Sequence, residues 1–286
     1  MLRLLITEMK NTMETDAEPL ISVLMGVYNC EKTLDESLSC LLEQTEPRWE
    51  LVICDDGSVD GTAEVIRAWQ RRFPDRITFL QNEENQGLSR TLNHCLRRAR
   101  GVYAARMDGD DRCSPDRFEK ELKILEEHPD LAVVSTDMLC FDENGVWGRS
   151  IYPTNPQPAD LVHGVPFCHA ACMVRTEVLR SLNGYSEEDR FERVEDYELW
   201  TRLYAAGWRG TNLHEGLYQM RDDRNAASRR KWKYRLNEAR VRLLAVERLS
   251  LPKWMAVYAL RPLILGLVPA RLQSSLHRSK LSKEIP

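Results

Sequence analysis

LISVLMGVY at 20–28 and WELVIC at 49–54 are two apolar, β-rich runs of strand length. Between them, EKTLDESLSCLLEQ at 31–44 spaces Leu34, Leu38, Leu41 and Leu42 at helical intervals, so the unit reads strand, helix, strand. The alternation continues outward with a helix at 61–73, a strand at 77–81, a helix at 88–100 and a strand at 102–107. Strands alternating with helices of this length predict an α/β fold, its mostly parallel central sheet covered on both faces. In such sheets ligands bind beyond the carboxyl ends of the strands, near a switch in strand order.

Three polar clusters fall at those ends: Tyr28-Asn29, Asp55-Asp56-Gly57-Ser58 and Asp108-Gly109-Asp110-Asp111. Crowded carboxylates repel one another, and a hard divalent cation is the usual reason to collect them. Such an ion is held by one or two carboxylates together with substrate phosphates. A solvated turn accounts equally well for one acidic loop taken alone. Two acidic loops on one sheet edge favour a site. Residues 55–61 also suit helix capping, with Asp60 leading into the next helix, and the two readings are compatible.

Further along, Pro115 opens a helix running to Glu127. A strand follows at 131–140, then a turn at 142–145 and a short strand through Tyr152. Residues 153–193 lack a clear period and suit acceptor-binding loops. A second acidic group, Glu195-Asp196, starts a helix whose apolar side holds Leu199, Trp200 and Leu203. The helix dipole explains carboxylates in a first turn. Phe191 and Trp200 also suggest a partly apolar wall, against which a carboxylate accepts a proton near neutral pH. A metal at one place and a base at another are what displacement of a diphosphate by a sugar hydroxyl requires.

The 286 residues are 43% hydrophobic with a net charge of −4, enough to bury a core and inconsistent with a disordered chain. That charge is unevenly spread. Residues 229–286 hold 14 Lys/Arg against three Asp/Glu, which suggests a tail facing something anionic. Eight cysteines without a CxxC pair imply reduced thiols and a cytoplasmic setting. Cys168-His169-x-x-Cys172 lacks the further ligands of a closed zinc site and reads as packing. Residues 1–18 read as a loose extension, since Met1 to Asp16 has no signal-peptide pattern.

The ordered set VLMGVYN (23–29), DDGSVDGT (55–62), NQGLSRTLNHCLRRARGVYAARMDGDD (85–111), HAACMVRTEVLRSLNGY (169–185) and EDYELWTRL (195–203) resembles a family 2 glycosyltransferase with the GT-A fold. The resemblance covers 19–228 and implies a donor-binding half at 19–111 and an acceptor half at 112–228. It also implies an inverting, hexosyltransferase-type enzyme using a nucleotide-sugar donor, expected to be a UDP-sugar, and Mg²⁺ or Mn²⁺. Gly26 and Tyr28 would line the nucleobase pocket, with Asp56 and Asp55 reaching base or ribose. Asp110 would be the direct metal ligand and Asp108 a metal and donor-phosphate contact. Asp196 would be the catalytic base with Glu195 beside it.

Three departures from the family pattern stand out. Gly26 replaces a common Pro, and Leu92-Asn93 lacks a common Arg, whose donor contact would either be absent or pass to Arg90 or Arg106. Tyr218-Gln219-Met220-Arg221 replaces Tyr-Arg-x-His, so Arg221 is expected to touch phosphate rather than metal.

The tail, 229–286, begins with a helical stretch at 229–249, either a surface helix packed on the domain or part of a binding surface. Trp254 to Val268 is too short to span a bilayer. With Trp254, Tyr258, Lys253, Arg271, Arg278 and Lys280, it reads as an interfacial segment facing anionic headgroups. No motif supports nucleic-acid binding. The expected acceptor is a glycan or a lipid-linked glycan in polysaccharide synthesis. Two rival readings are a sugar-phosphate nucleotidylyltransferase, whose Gly-rich basic loop is missing from Gly26–Lys32, and a non-catalytic sugar-nucleotide-binding scaffold at the membrane.

Overall fold

A computed structural model describes residues 18–222, 231–268 and 281. The 1–18 extension thus lies almost wholly outside the described residues, as do the 228 boundary, Arg271, Arg278 and Lys280. The strands are β1 (Ile21–Val27), β2 (Trp49–Asp55), β3 (Ile77–Gln81), β4 (Tyr103–Arg106), β5 (Arg112–Cys113), β6 (Leu131–Asp142), β7 (Gly145–Ser150), β8 (Met173–Arg175) and β9 (Arg209–Arg221). The helices are α1 (Leu34–Leu42), α2 (Thr62–Arg72), α3 (Leu88–Arg98), α4 (Arg117–Glu127), α5 (Thr176–Ser181), α6 (Glu195–Ala205), α7 (Trp232–Arg248) and α8 (Leu260–Gly266).

One nine-stranded sheet runs in the order β3-β2-β1-β4-β8-β6-β9-β5, with β7 paired to β6. The strands from β3 to β4 are parallel, as their apolar sequences predict. Alternate residues of β1 feed two cores. Ile21, Val23, Met25 and Val27 pack with α1, α2 and α4, whereas Leu24 joins α3, α5, α6 and α7 on the other face. A strand buried on both faces cannot alternate with polar residues, which is why 20–28 reads as a continuous apolar run.

Beyond β4 the sheet becomes mixed. β8 is antiparallel to β4 and to β6, β9 is parallel to β6, and β5 is antiparallel to β9. β8, α5 and three short 3-10 turns give order to the region expected to be irregular. The 13-residue β9 was not evident from its mixed sequence, RGTNLHEGLYQMR. The eight cysteines are free, and Cys168 and Cys172 are buried among apolar side chains, in agreement with packing rather than zinc binding.

Register brings the ligand-bearing ends together. Val27 lies beside Asp55, and Leu24 beside Arg106, so the loops at 28, 56 and 108 leave the sheet from one edge.

Candidate active site

A cleft of about 510 Å³ opens at that edge, and Gly26, Tyr28, Asp56, Asp108, Asp110 and Glu195 all line it. Six of the expected site residues, separated by up to 169 positions, therefore share one wall system. Gly26 packs closely on α3: a Cβ there would lie 3.0 Å from Thr91 Cγ2.

The paired aspartates after β2 divide their work. Asp56 accepts hydrogen bonds from the Gln86 N–H (2.9 Å), the Gly87 N–H (2.9 Å) and the Asn82 amide (2.8 Å), holding the loop that forms one cleft wall. Asp55 is fully buried and accepts from the Ser58 N–H at 3.0 Å and the Gln81 amide at 3.1 Å. It does not line the cleft, which corrects its expected place beside base or ribose. Both its oxygens are drawn inward by donors that shape the turn. Gly57 completes that turn at φ +72°, and a Cβ there would stand 2.6 Å from the Glu84 carbonyl carbon.

The 108–111 loop is clamped from below and from the side. Arg106, 2% exposed, donates to the Leu24 carbonyl (2.9 Å), the Met107 carbonyl (3.0 Å) and Asp108 Oδ1 (2.5 Å). Tyr218 on β9 accepts the Asp108 N–H at 3.1 Å and donates its hydroxyl to Asp111 Oδ2 at 2.8 Å. The Arg221 N–H reaches the other oxygen of Asp111 at 2.8 Å. Burial, reinforced by the charges of Asp108 and Asp110, pushes the Asp111 carboxyl up to about 8. Asp111 is thus the loop's tether, while Asp108 and Asp110 face the cleft.

Arg221 does not line the cleft, contrary to its expected contact with phosphate. Its Nε donates to the Asp110 carbonyl at 3.0 Å, and its guanidinium pairs with Glu36 at 2.5 Å and lies 4.6 Å from the Phe141 ring centre. The carboxylate of Glu36 and the aromatic face explain this inward pose. Arg106 is likewise committed beneath the loop. Arg90 and Arg193 are the cleft's own cations, and Arg90 sits 3.6 Å from Glu187. Arg193 was not singled out from sequence as a ligand. Its left-handed backbone, φ +66°, lies one residue before Val194 and the start of α6, and composition gives no sign of it.

Glu195 and Asp196 begin α6, where the positive end of the helix dipole faces them. Glu195 lines the cleft, whereas Asp196, the expected base, is half-buried beside it and not among the lining residues, accepting the Tyr197 N–H at 2.7 Å. Burial and then the charge of Glu195 push the Asp196 carboxyl up to about 7, while Arg106 pulls the other way. Glu195 is raised as well, chiefly by burial. Phe191 and Trp200 prove to be core residues, Trp200 packing edge-on against Phe167 with ring centres 5.3 Å apart. They make the apolar ground behind the pair and not an exposed wall.

Among the described residues, no three His, Cys, Asp or Glu side chains converge as a protein-only metal cage. Two cleft-facing carboxylates, Asp108 and Asp110, instead fit the pattern in which phosphates complete the coordination of a hard cation.

Residues 22–182 match the model of the family described as Glycosyl transferase family 2. EpsE of Bacillus subtilis (strain 168), a protein named as a glycosyltransferase, is 42% identical over 93% of this chain and 96% of its own length. The amylovoran biosynthesis glycosyltransferase AmsE of Erwinia amylovora is 30% identical over 78% of this chain and 84% of its own. In overall fold the chain is similar to the mannosyltransferase PcManGT of Pyrobaculum calidifontis, solved with GDP-Man and Mn²⁺. That likeness has a TM-score of 0.61 and 18% identity, and covers 97% of this chain and 86% of the other. The sheet, the cleft at its carboxyl edge and these relatives agree, and the chain belongs to glycosyl transferase family 2.

Proposed function

We propose that the protein moves a sugar from a nucleotide-sugar donor to a hydroxyl of a glycan or lipid-linked glycan, with inversion at the anomeric carbon. The observation that carries this reading is a cleft lined by Asp108, Asp110 and Glu195, with the adjoining Asp196 carboxyl, itself outside the lining, pushed up to about 7. Asp196 takes the proton of the acceptor hydroxyl as its oxygen attacks the anomeric carbon and the bond to the diphosphate breaks. Glu195 keeps that carboxyl basic. Asp110 and Asp108 are suited to hold Mg²⁺ or Mn²⁺, which when bound neutralises charge on the departing diphosphate. Arg90 and Arg193 supply further positive charge to the same group.

Gly26, Tyr28 and Asp56 form the nucleobase end, and a UDP-sugar is the donor we favour. The PcManGT complex contains GDP-Man and Mn²⁺, so a panel of UDP- and GDP-sugars with Mn²⁺, read by thermal shift, is the direct check on the base and on metal. The name of AmsE supports a place in polysaccharide synthesis. Eight free thiols support work on the cytoplasmic side.

The decisive measurement is metal-dependent release of nucleoside diphosphate. Asp196→Asn should abolish release while still binding donor; a variant as active as the parent removes Asp196 from the role of base.

A further inference from the structure

The C-terminal part of the chain presents an apolar stripe that the other described residues leave uncovered. A 3-10 turn at Lys253–Ala259 leads into α8, and both lie against α7. Met255, Ala259 and Pro262 are buried there, and Met255 joins Val162 and Val246 in a small core. On the other side Trp254, Val257, Leu260, Ile264 and Leu267 are 52–78% exposed. Their spacing is three residues within the 3-10 turn and then four and three along the α-helix. Those are the periods that keep side chains on one face of each kind of helix. Contiguous apolar surface of this kind marks an interaction site in a soluble chain.

Charge selects the partner. Lys253 and Arg261 flank the stripe and are exposed, and no Asp or Glu occurs between Glu247 and Glu284. A second copy of the chain laid on the same stripe would bring two basic segments together, whereas an anionic bilayer offers both an apolar interior and countercharge. No helix of the described residues is long and apolar enough to cross a membrane. Tyr258, expected at the interface, instead packs on His163 with ring centres 4.4 Å apart, which leaves Trp254 as the stripe's aromatic residue.

The stripe also ends close to the cleft. Glu192 lines the cleft and accepts from Lys233 Nζ at 2.6 Å and Tyr234 Oη at 3.1 Å, both in the first turn of α7. The neighbouring Trp232 ring lies against Gly266 at the end of α8, so closely that a Cβ there would be 2.3 Å from Trp232 Cζ3. From cleft wall to the end of the stripe is therefore a chain of direct contacts.

We infer that Trp254, Val257, Leu260, Ile264 and Leu267 seat in the headgroup region of an anionic bilayer, which sets the acceptor side of the cleft at the membrane surface. The acceptor hydroxyl then belongs to a lipid-anchored glycan; this last step rests on the transferase reading, whereas the seating does not.

The test is sedimentation of the full-length protein with vesicles of phosphatidylglycerol and phosphatidylcholine, and with phosphatidylcholine alone. The protein should pellet with the anionic vesicles and about tenfold less with the neutral ones. Ile264→Glu and, separately, Trp254→Ser should each weaken anionic-vesicle binding about tenfold or more, with nucleoside diphosphate release and the melting temperature unchanged. Unaltered binding by both variants, or a parent protein that stays in the supernatant, overturns the inference. So does a concentration-dependent dimer, seen by light scattering, that the two substitutions abolish. Vesicle binding without any nucleoside diphosphate release from a donor panel would sink the transferase reading and leave the membrane seat standing.

Discussion

Asp56, in the cleft wall after β2, accepts three hydrogen bonds from its own β-α-β neighbourhood, whereas Asp196, in the first turn of α6, accepts one from the adjacent residue and is held mainly by burial. The first arrangement meets both carboxylate oxygens with donors. The second leaves a carboxyl that gains and loses a proton near neutrality. The site thus holds acids in two settings: one met by donated hydrogen bonds, the other placed where burial favours its protonated form.

The largest effect is expected at the acidic loop. Asp110→Asn should lower kcat/KM about a thousandfold and abolish the thermal shift given by Mn²⁺ with nucleoside diphosphate; a variant that keeps both would remove the metal site from this loop. Asp196→Asn should cost about a hundred- to ten-thousandfold in kcat with donor affinity retained. Glu195→Gln should cost less and move the pH profile down, because the charge that holds the Asp196 carboxyl up has gone.

The pH dependence sharpens the contrast further. The rate should rise with pH through about 7 as Asp196 loses its proton, and Asp196→Asn should erase that rise. Stability should run the opposite way. The folded carboxyl binds a proton from about 3.8 up to about 7 that the unfolded chain has released, so the Asp196 contribution to stability falls as pH rises through that window. Urea midpoints of parent and Asp196→Asn, compared at pH 5 and pH 8, measure it.

The smallest expected effect is at the tether. Tyr218→Phe removes the hydroxyl that joins the Asp108 N–H to Asp111, and should cost about 1–3 kcal/mol of stability. Mn²⁺ affinity should fall with it, with no change in the pH profile. A Tyr218→Phe protein with parental metal affinity would show that the loop holds its shape unaided.

How much of this was legible differs between the halves for a physical reason. The parallel half consists of strands buried on both faces and helices with one leucine-rich face, and both patterns are written in local sequence. Its ligand loops follow from strand ends, and Gly26, Tyr28, Asp56, Asp108 and Asp110 were found lining the cleft. Asp55 was not, since two adjacent carboxylates look alike until their donors are known. β9 stayed hidden because a strand lying at a mixed edge, with Glu215, His214 and Gln219 along it, shows no clean period. Arg221 was assigned from its place in the family motif and its charge; its partner Glu36 lies 185 positions away. For the same reason Asp111 had no task in the sequence, though it ties the acidic loop to β9.

That tie has a consequence for how the protein is made. Tyr218 follows Asp108 by 110 residues, so a nascent chain carries the whole 108–111 loop well before it carries the clip that holds it. The clip closes only when β9 pairs with β6, so the acidic loop takes its final shape late in synthesis, after residues 112–208 have been added.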